Sequence, residues 1–172
     1  MNKLYIITGP AGVGKSTISK EIANSLSKSV LLEGDDFYHQ VVGSYIPAWK
    51  DGNHLDVFWK ICCDTMKTYL DNGYDVVFNY IISKDKFNEL KDIFSNYEVK
   101  FIVLLVSEDT IMERDKLRDE DCRMNERCLI LLNNFKEYNY DDNYILYTDN
   151  LSINDSVLEI MNNNRFIIEI NN

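Results

Sequence analysis

The chain is short of positive charge. Its 18 lysine and arginine residues face 28 aspartate and glutamate residues, for a formal net charge of -10. An acidic surface gains nothing from a phosphate backbone, so nucleic acid is not an expected partner. Histidine is scarcer still, with only His39 and His54. The four cysteines, Cys62, Cys63, Cys122 and Cys128, contain no C-x-x-C pair. Without a histidine cluster beside them they do not compose a zinc site. Cys62 and Cys63 fall in an apolar helical stretch and read as packing residues. No apolar run reaches the roughly 20 residues of a membrane-spanning helix. The N-terminus enters a strand directly, without the pattern of a signal peptide. These absences point to a cytoplasmic, reduced protein that is not bound to a membrane. Linkers, low-complexity tracts and internal repeats are missing as well, so residues 1–172 read as one domain.

What is present alternates strand and helix. Short apolar runs at 4–7, 30–32, 75–82, 99–106 and 144–147 predict strands, with a short final strand at 166–170. Helical spacing occupies 15–26, 55–70, 84–94, 110–117, 126–138 and 155–161. Strands that are apolar throughout belong to a parallel sheet covered on both faces. The expected fold is a three-layer α/β/α sandwich.

The strongest signal lies between the first strand and the first helix. Residues Gly9 to Ser16 read G-P-A-G-V-G-K-S and match G-x-x-x-x-G-K-[ST] at every specified position. This is a P-loop for ATP and Mg²⁺. Gly9, Gly12 and Gly14 allow a tight turn whose N–H groups point at phosphate oxygens. The loop residues Ala11 and Val13, with Thr17 just beyond, complete the cradle at the positive end of the helix. Lys15 carries a charge to the β- and γ-phosphates, and the Ser16 hydroxyl ligates Mg²⁺.

Two further segments accompany it. Glu33 to His39 read E-G-D-D-F-Y-H, and Arg114, Arg118, Arg123 and Arg127 cluster after the fourth strand. With the P-loop, these resemble the P-loop kinases of small molecules, a group that includes gluconate kinase, shikimate kinase and chloramphenicol phosphotransferase. The likeness runs closest to bacterial gluconate-kinase-like ATPases and covers the whole chain. It implies a five-stranded sheet in the order 2-3-1-4-5, ATP at the carboxyl ends of the strands, a flap at about 37–60 walling the acceptor, and an arginine lid at about 114–127.

Asp35 and Asp36 close the second strand, where a parallel sheet opens its ligand crevice. A carboxylate there can take the proton of an acceptor hydroxyl. Asp35 is the candidate for that role and Asp36 for the magnesium shell, with helix capping as the plain alternative for both. His39, one turn on, can hydrogen-bond the acceptor. The third strand carries Asn79 where many P-loop enzymes place a metal-shell aspartate, so Asn79 is read as a substrate contact or a polar strand end. In the flap, Trp49 and Lys50 beside Pro47 stand in a non-helical stretch suited to binding, while most of the other rings pack the flap down. Among the arginines, Arg118 and Arg127 are the candidates for the γ-phosphate. The interleaved acids allow instead a set of solvated surface pairs.

The expected activity is phosphoryl transfer from MgATP to a hydroxyl of a small metabolite, sugar acid or xenobiotic. A nucleotide kinase is the nearest rival, although 37–60 contains no arginine for an anionic acceptor. An ATP-binding switch with slow hydrolysis is the rival from another class. Neither the acceptor nor the oligomeric state is legible.

Overall fold

The computed structural model describes residues 2–48, 50 and 52–169. Strands β1 (Lys3–Thr8), β2 (Ser29–Glu33), β3 (Asp75–Asn79), β4 (Glu98–Leu105) and β5 (Ile145–Tyr147) form one sheet in the order β2-β3-β1-β4-β5. Each neighbouring pair is parallel. The helices that flank it are α1 (Lys15–Ser25), α2 (Gly34–Tyr38), α3 (His54–Asp71), α4 (Lys84–Ile93), α5 (Glu108–Lys116), α6 (Glu126–Glu137) and α7 (Ile153–Asn162). This is the P-loop kinase-like architecture, in the strand order implied by the resemblance.

The central strands explain their own composition. Leu4, Ile7, Phe101, Ile102 and Val103 have no exposed surface. Both alternating sets of side chains meet helices, so the run is apolar without a break. Amphipathic α3 turns Phe58, Cys62, Cys63, Met66 and Leu70 inward, at the three-to-four-residue spacing of one face. Burial pushes the Cys62 thiol up to about 12, which leaves it an inert packing group. No helix among the described residues is long and apolar enough to cross a membrane.

Three local features depart from the sequence reading. The third strand ends at Asn79 rather than at residue 82. The Ile82 amide donates to the Thr8 hydroxyl (3.0 Å) instead of to a strand partner. Tyr80, Ile81 and Ile82 are thus apolar because they cover the sheet's end. At the C-terminal end, Asn164–Phe166 form a 3-10 turn, and Ile167 makes an isolated antiparallel bridge to Lys100. The expected strand is reduced among 166–169 to this bridge and an Ile168 amide donating to the Val99 carbonyl (2.9 Å), while the Arg165 guanidinium in the turn before it donates to the carbonyls of Asn143 (2.9 Å) and Ile145 (3.0 Å). Residue 170 lies outside the described residues. Finally, β4 buries a charge at Lys100, which is only 1% exposed. Its ammonium donates to the carbonyls of Ile160 (2.9 Å), Met161 (2.8 Å) and Asn163 (3.1 Å). A cation thus caps the negative end of α7.

For the site, the register matters most. Ile7 and Glu33 each sit opposite Asn79, on the two sides of β3. The carboxyl ends of β1, β2 and β3 therefore finish together on one edge. The P-loop, the acids after β2 and the turn after β3 all leave from that edge.

Candidate active site

The loop from Gly9 to Gly14 leaves β1 with Gly9, Gly12 and Gly14 all at positive φ. Gly9 has no substitute, because a Cβ there would collide with the carbonyl oxygen of Leu104 in the neighbouring strand. The loop delivers the chain into α1, whose N-cap is Gly14 with no side chain capping it and no acid in its first turn. Helices α4, α5 and α7 are capped by Ser83, Ser107 and Ser152. The first amides of α1 are left for an anion.

Lys15 folds back over the loop. Its ammonium donates to the carbonyls of Gly9 (3.0 Å) and Pro10 (2.9 Å). Desolvation lowers it to about 8; Asp35 and Glu33 pull it back up, while Arg118 adds to the fall. Phosphates favour the ammonium, so nucleotide binding raises this value again. Binding near pH 8 should therefore take up roughly half a proton per site, and affinity should weaken as pH rises beyond that. Calorimetry of ATP binding in two buffers of different ionisation enthalpy measures the uptake. Proton release at pH 8, or no exchange, would contradict the assignment.

Around the loop lies a cavity of about 670 Å³. Its lining brings together Ala11, Gly12, Val13, Gly14, Lys15, Ser16 and Thr17 from the loop and helix, Asp35 after β2, Asn79 and Tyr80 at the end of β3, and Arg114 and Arg118 from α5 and the turn after it. Leu117, Thr148, Leu151, Ile153 and Ser156 line it further. Gly34 sets the position of Asp35, since a side chain at Gly34 would collide with the Tyr80 ring. Asn79 is 6% exposed, and its amide nitrogen has no hydrogen-bond partner.

Other residues singled out from the sequence stand elsewhere. Asp36 and His39 are exposed and do not line the cavity. The N-cap of α2 is Glu33, and no side chain caps that helix. Arg123 donates to the Arg118 carbonyl (3.1 Å), and Arg127, on α6, is exposed and outside the lining. Trp49 lies outside the described residues. Tyr38 is buried and donates to the Ile46 carbonyl (2.5 Å), and its ring meets Tyr45, His54 and Phe58 edge-on, so the flap's aromatics chiefly hold the flap together.

Three residues that the sequence reading passed over have defined places. Glu33 accepts from the Ser16 hydroxyl (3.4 Å). These two hard oxygen donors fit Mg²⁺, which draws its remaining ligands from phosphates and water. Among the described residues no group of three His, Cys, Asp or Glu could hold an ion by itself. Arg114, ranked below Arg118 from the sequence, donates to the Val13 carbonyl (2.7 Å), the Thr148 hydroxyl (3.2 Å) and the Thr148 carbonyl (3.0 Å). It braces the P-loop against the turn after β5. Asp115 is 2% exposed and accepts from the amides of Met124 (3.0 Å) and Asn125 (2.7 Å) and from Arg118 (3.4 Å). The segment after α5 is thus wrapped around one carboxylate.

Burial raises the Asp115 carboxyl, but the two amides and Arg118 outweigh it and hold it below the usual 3.8. Its stabilisation is complete above that value and disappears as pH falls through the lowered one. Asp115→Ala strands two amides, at a cost of about 2–4 kcal/mol. The melting temperature should fall by roughly 5–15 °C, while the exposed neighbour Asp119→Ala changes it little. Equal melting temperatures for the two variants would show that the carboxylate does not organise this segment.

A family model described as an AAA domain matches residues 6–138. The chain belongs to this AAA-domain family. Solved structures with the fold of this AAA-domain protein include a sugar kinase from Janibacter sp. HTCC2649 (TM-score 0.70, 15% identity, 94% of this chain and 95% of the other). A tunicamycin resistance protein from Deinococcus radiodurans is similar over the same shares (TM-score 0.68, 13% identity). A gluconokinase from Sinorhizobium meliloti 1021 follows (TM-score 0.68, 16% identity, 93% and 90%). At such identities the likeness is one of fold, that of a P-loop protein of kinase-like architecture; nucleotide binding is implied by the P-loop of the AAA-domain family itself.

Proposed function

We propose that the protein is a phosphotransferase that moves the γ-phosphoryl group of ATP to a hydroxyl of a small molecule. One observation carries this reading: the P-loop and Asp35 line the same cavity, so a carboxylate shares the space into which the phosphate-binding loop opens. The loop amides, Lys15 and the N-terminus of α1 hold the phosphates. Leu117, Leu151 and Ile153 supply apolar surface for the base. Arg118 stands within electrostatic reach of Lys15 and supports charge building on the transferred group. Ser16 and Glu33 would hold Mg²⁺, which when bound neutralises phosphate charge. Asp35 orients the acceptor hydroxyl and takes its proton as the oxygen attacks.

The kinase folds that resemble this chain suggest the first acceptors to try: sugars, gluconate and tunicamycin. Purified protein with MgATP should release ADP faster when a true acceptor is added, and a phosphorylated product should form in equal amount. ADP release that no acceptor stimulates, with ATP still bound, would favour the slow ATPase or switch instead.

A further inference from the structure

We infer that the acceptor is an alcohol carrying no anionic group, held by its reacting hydroxyl between Asp35 and Asn79. The inference rests on the phosphotransferase reading and narrows it. Two independent observations support it.

The first is the amide of Asn79. The residue is more than nine-tenths buried, it lines the cavity, and its amide nitrogen donates to no described group. An unmade hydrogen bond in such a place is costly, and a ligand that supplies an acceptor atom removes the cost. Asp35, exposed on the same cavity, takes the opposite: a donor. One hydroxyl meets both demands, with its oxygen accepting from Asn79 and its proton directed at Asp35. In the transfer, that oxygen forms the new bond to the γ-phosphorus. The bond from that phosphorus to the bridging oxygen breaks, its electron pair leaves with ADP, and the hydroxyl proton passes to Asp35.

The second observation is the placement of charge. The cationic residues lining the cavity are Lys15, Arg114 and Arg118. Lys15 and Arg118 are given to the polyanionic phosphates by the phosphotransferase reading, and Arg114 is engaged with carbonyls. No other lysine or arginine is among the described residues that line the cavity. A carboxylate or phosphate on the acceptor would therefore meet Asp35, with Glu33 and Asp36 nearby in the chain, and no cation lining the cavity beyond those given to the ATP phosphates and the loop carbonyls. Like charges brought together in a partly dry cleft repel strongly. Uncharged alcohols and amino alcohols meet no such penalty.

Matched acceptors test this with the full chain: sorbitol against gluconate, thymidine against thymidine monophosphate, and kanamycin as a cationic alcohol. ADP release and labelled product give kcat/KM for each. The uncharged or cationic member should be favoured at least tenfold in every pair that reacts. Preference for gluconate or for the nucleotide would overturn the inference while leaving the phosphotransferase reading intact. Failure of every compound to react, with ATP bound normally, would remove both. Asn79→Asp provides the second measurement. Loss of the donor should raise KM for the reacting acceptor roughly tenfold and leave KM for ATP unchanged. An increase in kcat instead would show that position 79 serves the metal shell and would overturn the role given to its amide.

Discussion

Lys15→Ala is expected to weaken MgATP binding by roughly 30- to 1000-fold, equivalent to about 2–4 kcal/mol for a charge-assisted contact to phosphate. Phosphoryl transfer should fall by a further 10²–10³ or so, because the same ammonium follows charge onto the leaving oxygens. The fold should survive. Lys15 itself borders the cavity, so water can follow into its place on the buried carbonyls of Gly9 and Pro10, and the variant removes a desolvated cation rather than a packed group. Calorimetry for binding, circular dichroism for the fold and a coupled ADP assay for turnover separate the three. Wild-type affinity and turnover in Lys15→Ala would end the P-loop assignment.

Asp35→Asn should act on chemistry and spare the nucleotide. ATP affinity is expected to stay within a few-fold of wild type, because Asp35 touches the phosphates only through its field on Lys15. Turnover with an acceptor should drop by roughly 10²–10⁴, the usual contribution of a positioned base. The amide keeps the shape and one accepting oxygen, so a loss of that size reports charge and proton transfer. Asp36→Asn, altered on an exposed residue outside the cavity, is the control for local charge. Equal losses in the two variants would assign the effect to the general field. An unchanged rate in Asp35→Asn would leave the acceptor without a base.

The P-loop was legible because its function is written locally: eight contiguous residues carry the turn, the amides and the cation. The parallel sheet was legible from apolar runs buried on both faces. The rest needed distance. Glu33 was eclipsed by the two aspartates that follow it, and only the position of α1 beside β2 brings it to Ser16. Asp115 sat among alternating acids and bases that read as surface pairs, yet it is buried and fastens a turn nine and ten residues later. Arg114 looked like its neighbours until the fold placed Val13 and Thr148, 101 and 34 positions away in sequence, beside it. The acceptor's identity depends on cavity shape, which no local pattern encodes.

The buried ammonium in β4 imposes an order on how the molecule is made. The ribosome delivers Lys100 some sixty residues before the three carbonyls that satisfy it, at Ile160, Met161 and Asn163. Until those carbonyls emerge, seating β4 in the sheet means drying a cation with nothing to receive it, a penalty of several kcal/mol. Seating β4 beside β1 is therefore coupled to the docking of α7, because the helix end supplies what the strand's cation needs.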